Sequence, residues 1–267
     1  MGEIRHMAMC TKNNRRLARF YHLVFGMEEV WNQYQNSPYS FYIGDGSFQI
    51  NCLQIRPGTS YAKIVDGREV LPDVGMNHIG FQVKSMADVE RRLAQWDPPI
   101  RLLKSPQDGR YEEKRFTDPD GNLFELAEGA WDAGNRVDFA SINYVGLRTD
   151  NPERLANFYI SVLSLKELRR IDAPETSMKV IYLSDAKLNL GIYKTAPATQ
   201  PGLDGIGFHV KSIDEVARRI GDSASFLYPG ESPIKINNAA VWNPYKTQQL
   251  KDPDGNLVEV SDEGWEI

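Results

Sequence analysis

The sequence predicts an α+β protein of four βαβββ modules in two tandem halves, 1–132 and 138–267. Three observations predict it. The stretch IRHMAMCTKNNRRLARFYHLVFGMEEV (4–30) is matched by INYVGLRTDNPERLANFYISVLSLKEL (142–168). NHIGFQVKSMADVERRL (77–93) is matched by DGIGFHVKSIDEVARRI (204–220). DPDGNL occurs at 118–123 and again at 252–257, and each copy is followed two residues later by a glutamate, Glu125 and Glu259. Matched blocks in the same order mean two homologous halves. They join near EGAWDAGNRVDF (128–139), a short Gly- and Asp-bearing stretch.

Each half then divides again. The first module opens with the short alternating strand HMAMC. A helix follows, because Leu17, Phe20, Tyr21 and Val24 recur at i, i+3, i+4 and i+7. Asn13 or Asn14 is its N-cap. Three strands are expected at 28–35, 39–44 and 48–54. The segment 55–77 reads as a loop on its Pro and Gly, either a lid over a binding site or a surface insertion. The second module runs through a strand at 77–84, a helix at 86–96 capped by Ser85, and strands ending at Leu126. In DPDGNL the proline presets φ, the aspartates bond their own backbone and the glycine accepts positive φ, so the motif is a turn. A turn does not explain why an acid follows inside an apolar run.

The composition narrows the function classes. The chain of 267 residues is 41% hydrophobic and 25% charged, which is ordinary for a globular protein. A net charge of −5 gives no sign of a nucleic-acid or anionic-membrane partner. No apolar run is long enough to span a bilayer. The two cysteines, Cys10 and Cys52, form neither a disulfide framework nor a CxxC knuckle, and a reduced, cytoplasmic protein is expected.

The segments ARFYHLVFGMEEV, NHIGFQVKS and DPDGNLFEL, with their counterparts, resemble the vicinal oxygen chelate superfamily, which includes glyoxalase I, fosfomycin-resistance proteins and extradiol dioxygenases. The resemblance covers essentially the whole chain. It implies two glyoxalase-like domains, each a cup-shaped, eight-stranded mixed sheet with helices outside. It also implies a metal site on the first strand of one module and the first and last strands of the next. Those positions are His6, His78 and Glu125. Two imidazoles and a carboxylate suit Fe(II), the favoured ion, with Mn, Ni, Co or Zn as alternatives. The two histidines carry no fixed positive charge, so a metal ion is the simplest partner for a carboxylate inside the cup. In the second half Tyr144 and Gly205 replace the histidines and only Glu259 remains, so no metal is expected there. Glu259 is expected to accept backbone or Tyr144 hydrogen bonds. His209 shares the inward parity of Gly205 and is expected to be buried, while His22 is expected at the surface or between helices.

The remaining candidates bear on the reaction. Cys10 shares parity with His6, and Gln49 and Asn51 share a face of the strand SFQINCLQI, so these three are the expected substrate-binding residues. Glyoxalase-type isomerases typically carry an acid on that strand, and neither Gln49 nor Asn51 is a general base. Extradiol dioxygenases have four modules and a two-His-one-Glu site, but place a tyrosine ten residues before the glutamate, where this chain has Arg115. Arg115 suits an anionic substrate group or pairs with Asp118 or Glu113. Tyr111 and Glu113 share its parity and are the expected acid–base residues if they face inward. The expected function is a metal-dependent enzyme acting on a small oxygenated molecule, leaning to a dioxygenase with O2 as co-substrate. A lyase or isomerase, or a metal-free ligand-binding protein, is the alternative. Homo-oligomerisation stays open.

Overall fold

The computed structural model describes residues 1–30, 39–59, 62–104, 113–129, 131–173, 178–194, 200–228, 235–238 and 245–266. The first half contains β1 (Glu3–Thr11), α1 (Asn14–Phe25), β2 (Glu28–Glu29), β3 (Ser40–Gly44), β4 (Gln49–Gln54), β5 (Lys63–Val65), β6 (Arg68–Val70), β7 (Gly75–Gln82), α2 (Met86–Gln95), β8 (Leu103–Lys104), β9 (Lys114–Thr117) and β10 (Leu123–Ala127). The second contains β11 (Ala140–Thr149), α3 (Pro152–Leu163), β12 (Lys166–Ala173), β13 (Met178–Ser184), β14 (Asn189–Lys194), β15 (Gly202–Val210), α4 (Ile213–Leu227), β16 (Asn237–Asn238), β17 (Gln248–Lys251) and β18 (Leu257–Ser261).

Each half forms one eight-stranded mixed sheet. The orders, β2-β3-β4-β1-β7-β10-β9-β8 and β12-β13-β14-β11-β15-β18-β17-β16, are the same topology twice. The first strands of the two modules lie side by side and antiparallel at the sheet centre, β1 against β7 and β11 against β15. Each is flanked by a parallel neighbour, β4 or β10 in the first half. Period-2 alternation then separates two faces. His6, Ala8 and Cys10 share one, while Met7 and Met9 share the other with the helix-side core.

The helices are specified locally. Asn13 accepts from Arg16 N at 3.0 Å and Ser85 from Asp88 N at 3.2 Å, so both expected caps form, the first at Asn13. Gly26 ends α1 at φ 79°. The apolar stripe of α1 packs into a core that runs through both halves and includes Phe20, Phe25, Phe81, Phe158 and Phe208. The ring of Phe25 stacks on Phe208 with centroids 3.9 Å apart, which joins α1 to the opposite half.

DPDGNL also joins the halves. Asp118 Oδ1 accepts from the N–H groups of Asp120 and Asn122, and its Oδ2 accepts from Asn122 Nδ2 and, at 2.7 Å, from the hydroxyl of Tyr159 on α3. Asp252 repeats this pattern, and its Oδ2 accepts from Tyr21 on α1 at 2.9 Å. The two latches are reciprocal. So are two more, with Asp185 accepting from Ile4 N at 2.6 Å and Asp45 from Ile142 N at 2.7 Å.

Two expectations change. The segment 55–77 is not wholly a loop: β5 and β6 pair as a hairpin around Asp66–Gly67, both at positive φ. Of the strand expected at 28–35, the described part is β2 at Glu28–Glu29, and 31–38 lie outside the described residues. The connector between the halves runs beside the β3–β4 turn, where Gly46 N donates to Ala133 O at 2.9 Å and Val137 N to Asp45 O at 3.1 Å. A side chain on Gly44 would run into the Ala133 carbonyl. No helix among the described residues is long and apolar enough to cross a membrane.

Candidate metal centre

Strand register brings the three distant residues together. His6 on β1 pairs with Gly80, and Gly80 pairs in parallel with Glu125 on β10. His78 lies two residues before Gly80, on the same face of β7. The potential ligand atoms of His6, His78 and Glu125 lie within 4.8 Å of one another, and this is the group of three or more His, Cys, Asp or Glu able to hold a metal ion among the described residues. All three side chains are buried.

Both imidazoles are held through Nδ1. His6 Nδ1 lies 3.0 Å from Gln49 Oε1, and His78 Nδ1 lies 2.9 Å from Asn77 Oδ1. With an amide oxygen as partner, each Nδ1 carries the proton and each Nε2 presents its lone pair. His78 Nε2 faces Glu125 Oε2 at 3.1 Å. Two lone-pair-bearing atoms at that distance need a proton or a cation between them, so the donor set fits a metal ion. Burial, helped by the nearby His78, pushes the His6 pKa down to about 3, which keeps it a neutral donor. Burial opposes ionisation of Glu125, but the proton it shares with His78 when no ion is bound, and the Arg115 guanidinium beside it, hold its carboxyl well below the usual range.

Arg115 corrects one expectation. Its Nε and Nη2 each lie 2.6 Å from Glu125 Oε1, so a fixed positive charge already compensates the carboxylate. The pair with Glu125 was not among the expected partners, and it turns the guanidinium toward the site. Register explains it: β9 and β10 flank the DPDGNL turn, and Arg115 stands directly opposite Glu125. Glu125 thus offers one oxygen to Arg115 and the other to the centre.

The other expected residues fall as follows. Gln49 shares the cup face, and its amide is engaged at both ends, by His6 and by the carbonyl of Asp132 at 2.5 Å. Asn51 is buried on the same face, and its Oδ1 has no hydrogen-bond partner among the described residues. Cys10 is buried, and burial pushes its thiol up to about 12, so it is protonated at neutral pH. Glu113 accepts from Trp131 Nε1 at 3.0 Å. Tyr111 lies outside the described residues. His22 is exposed and bonds Met27 O. His209 is exposed, not buried, and its ring lies against Gly264 at the sheet surface. Trp131 was not anticipated. Its ring stacks on His6 with planes 15° apart and centroids 5.3 Å apart. A cavity of about 390 Å³ lies elsewhere, between α1 and β3, with Arg15, Arg19, His22 and Phe41 in its lining.

The second half keeps the frame and changes the contents. Tyr144 pairs with Asn189 as His6 pairs with Gln49, and Gly205 stands opposite Gly146 as His78 stands opposite Ala8. The Tyr144 ring lies over Gly191, where any side chain would collide with it. Glu259 accepts from Gln249 at 3.0 Å, a partner not foreseen, because Gln249 occupies the position of Arg115.

Comparison with known proteins places this architecture. The sequence profile of the Glyoxalase/Bleomycin resistance protein/Dioxygenase superfamily matches residues 3–126 and again 141–260. The chain belongs to this superfamily. No curated protein matches it in sequence. Among solved structures, it is similar to the halotolerant catechol dioxygenase BphC, with 13% identity, a TM-score of 0.68, and 99% of this chain and 88% of that chain covered. It is likewise similar to the 2,3-dioxygenase LapB from Pseudomonas sp. KL28, at 18% identity and a TM-score of 0.68, covering 98% and 92%. The Mn(II)-bound glyoxalase from Novosphingobium aromaticivorans gives 18% identity and a TM-score of 0.68, covering 100% and 85%. At these identities the likeness establishes the two-domain glyoxalase-like fold.

Proposed function

We propose that the chain is a metal-dependent enzyme that acts on a small hydroxylated molecule, with an Fe(II)-dependent ring- or C–C-cleaving dioxygenase as the leading reading. The observation that carries it is the convergence of His6, His78 and Glu125, with His78 Nε2 facing Glu125 Oε2 at 3.1 Å. Two histidines and one carboxylate leave several coordination positions open, the donor set of non-haem iron oxygenases. When bound, the metal supplies Lewis acidity, holding adjacent substrate oxygens and stabilising the negative charge that develops on them.

The chain's own residues have distinct tasks in this reading. His6 and His78 are neutral donors, and Glu125 supplies the anion. Arg115 keeps Glu125 ionised and fixes its orientation. Gln49 holds His6 in one tautomer. The Oδ1 of Asn51, without a partner among the described residues, accepts from a substrate hydroxyl, since a buried acceptor left unmet is costly. Its Gly191 counterpart offers no such group.

The lyase or isomerase reading rests on the equal likeness to a Mn(II)-bound glyoxalase. The test is the metal content of untagged protein purified without oxygen, beside His78→Ala. One equivalent of iron in the first and little in the second, with oxygen uptake on catechols, is the expected result. One equivalent of manganese, nickel, cobalt or zinc, without oxygen uptake, would favour the lyase. No metal in either protein after reconstitution would overturn the metal centre and leave a binding protein.

A further inference from the structure

The segment that joins the halves grips His6 at two points. Trp131 lies against the face of the imidazole, and its indole N–H donates to Glu113 Oε1 at 3.0 Å. The next residue, Asp132, acts through Gln49. Its carbonyl accepts from Gln49 Nε2, whose own Oε1 accepts from His6 Nδ1. The stack fixes the plane of the ring, and the amide bridge fixes its rotation within that plane. Gly80 leaves room for the packing, because a Cβ there would lie 2.8 Å from His6 Cβ and 3.0 Å from Trp131 Cη2.

The second half repeats the clamp on a residue that cannot bind a metal. Trp265 follows Glu259 at the spacing with which Trp131 follows Glu125. It stacks on Tyr144 with planes 3° apart, and Asn189 Nδ2 donates to the Glu266 carbonyl. One part is missing. Trp265 Nε1 is buried with no hydrogen-bond partner among the described residues, and Thr247 stands where the first half has Glu113. The acid that orients the indole is present only where the indole rests on a histidine.

We infer that Trp131 and Glu113 are positioning residues for the metal centre, holding His6 so that its Nε2 lone pair is aimed at the ion. The inference rests on the metal reading above. A ligating imidazole must hold its direction closely, and partners outside the ligand set typically contribute about 10- to 100-fold to metal affinity. Glu113 thus has a different task from the acid–base role expected of it, because its Oε1 is spent on the indole.

Co(II) alone is the probe, read by its visible absorption and by tryptophan emission. Wild-type protein should take up one equivalent and lose emission in step, and Trp131→Phe should bind Co(II) without most of that loss. Trp131→Ala should bind about 10- to 100-fold more weakly. Trp131→Phe keeps an aromatic face on His6 and should recover most of the affinity. Glu113→Ala, a change at a half-exposed residue that leaves the stack in place, should weaken binding several-fold. Trp265→Phe should bind as wild type. Wild-type affinity in both Trp131→Ala and Glu113→Ala would overturn the inference and leave the metal reading intact. Should Trp131→Ala fail to fold, Glu113→Ala decides alone. No Co(II) uptake by the wild-type protein would overturn both.

Discussion

Adding one methyl group at Gly80 should separate packing from metal binding. The Cβ of Gly80→Ala would sit 2.8 Å from His6 Cβ and 3.0 Å from Trp131 Cη2, whereas ordinary contacts begin at 3.4 Å. About 0.6 Å must be absorbed by His6, Trp131 or the strands beneath them. Ligand–metal distances tolerate only about 0.2 Å, so displacement on that scale should weaken metal binding by at least roughly tenfold. Overpacking of this kind costs about 1–3 kcal/mol, or a Tm loss of roughly 2–12 °C for a chain of this size. Gly207→Ala is the internal control, since its Cβ would lie 2.7 Å from Trp265 and 2.8 Å from Tyr144 Cβ. It should lose comparable Tm by calorimetry and keep full metal affinity by titration. Equal loss of metal affinity in both variants would refute the placement of the centre on His6, as would loss in neither.

Other consequences can be measured independently. Tyr21→Phe and Tyr159→Phe each remove a donor from a buried carboxylate and should each cost about 1.5–3 kcal/mol in urea unfolding; unchanged stability would show that the latches contribute nothing. Burial raises the Asp252 pKa to about 6 despite its donors. An acid with a raised folded-state pKa stabilises most below its unfolded value and loses that contribution as pH rises through the folded one. Relative to Asp252→Asn, the wild type should therefore lose about 2 kcal/mol between pH 4 and 7, and parallel pH profiles would contradict this. Arg115→Gln leaves Glu125 without its guanidinium and should destabilise metal-free protein by about 3–5 kcal/mol. Added divalent metal should then raise its Tm more than it raises that of the wild type. An equal rise would mean that Arg115 and the ion do not share the carboxylate.

The duplication made the module order legible, because three long blocks recur with their spacing nearly kept. Caps and turns were legible for the same local reason: Asn13, Ser85 and the DPDGNL aspartates need only their own neighbours. The β5–β6 hairpin was passed over because Pro57 and Gly58 dominate its segment, although Asp66–Gly67 between short apolar pairs is itself a hairpin signal. His6, His78 and Glu125 were picked out by the family resemblance, which implies ligands on the first strand of one module and the first and last strands of the next, and the second half, with Tyr144 and Gly205, supplied the contrast. The Arg115–Glu125 pair was within reach, since two strands closing on a tight turn put residues equidistant from it face to face. The tyrosine latches were not, as they depend on how one half's helix meets the other half's turn. Trp131 had a signal that was overlooked, a tryptophan at the same distance after each motif glutamate.

The way Ala133, Asn135 and Arg136 crowd Gly44 and Gly46, directly after Trp131 and Asp132 have closed on His6, restricts how this gene can change length. A join between duplicated domains is usually where insertions accumulate. Here even a few added glycines after Trp131 would slacken the hold on His6 in one domain and shift the other domain's first strand, whereas added residues at the exposed tip of the β5–β6 hairpin would disturb neither. The spacing between the copies is thus held by packing on both sides, and splitting the chain into two separately expressed domains would expose the core that the halves share.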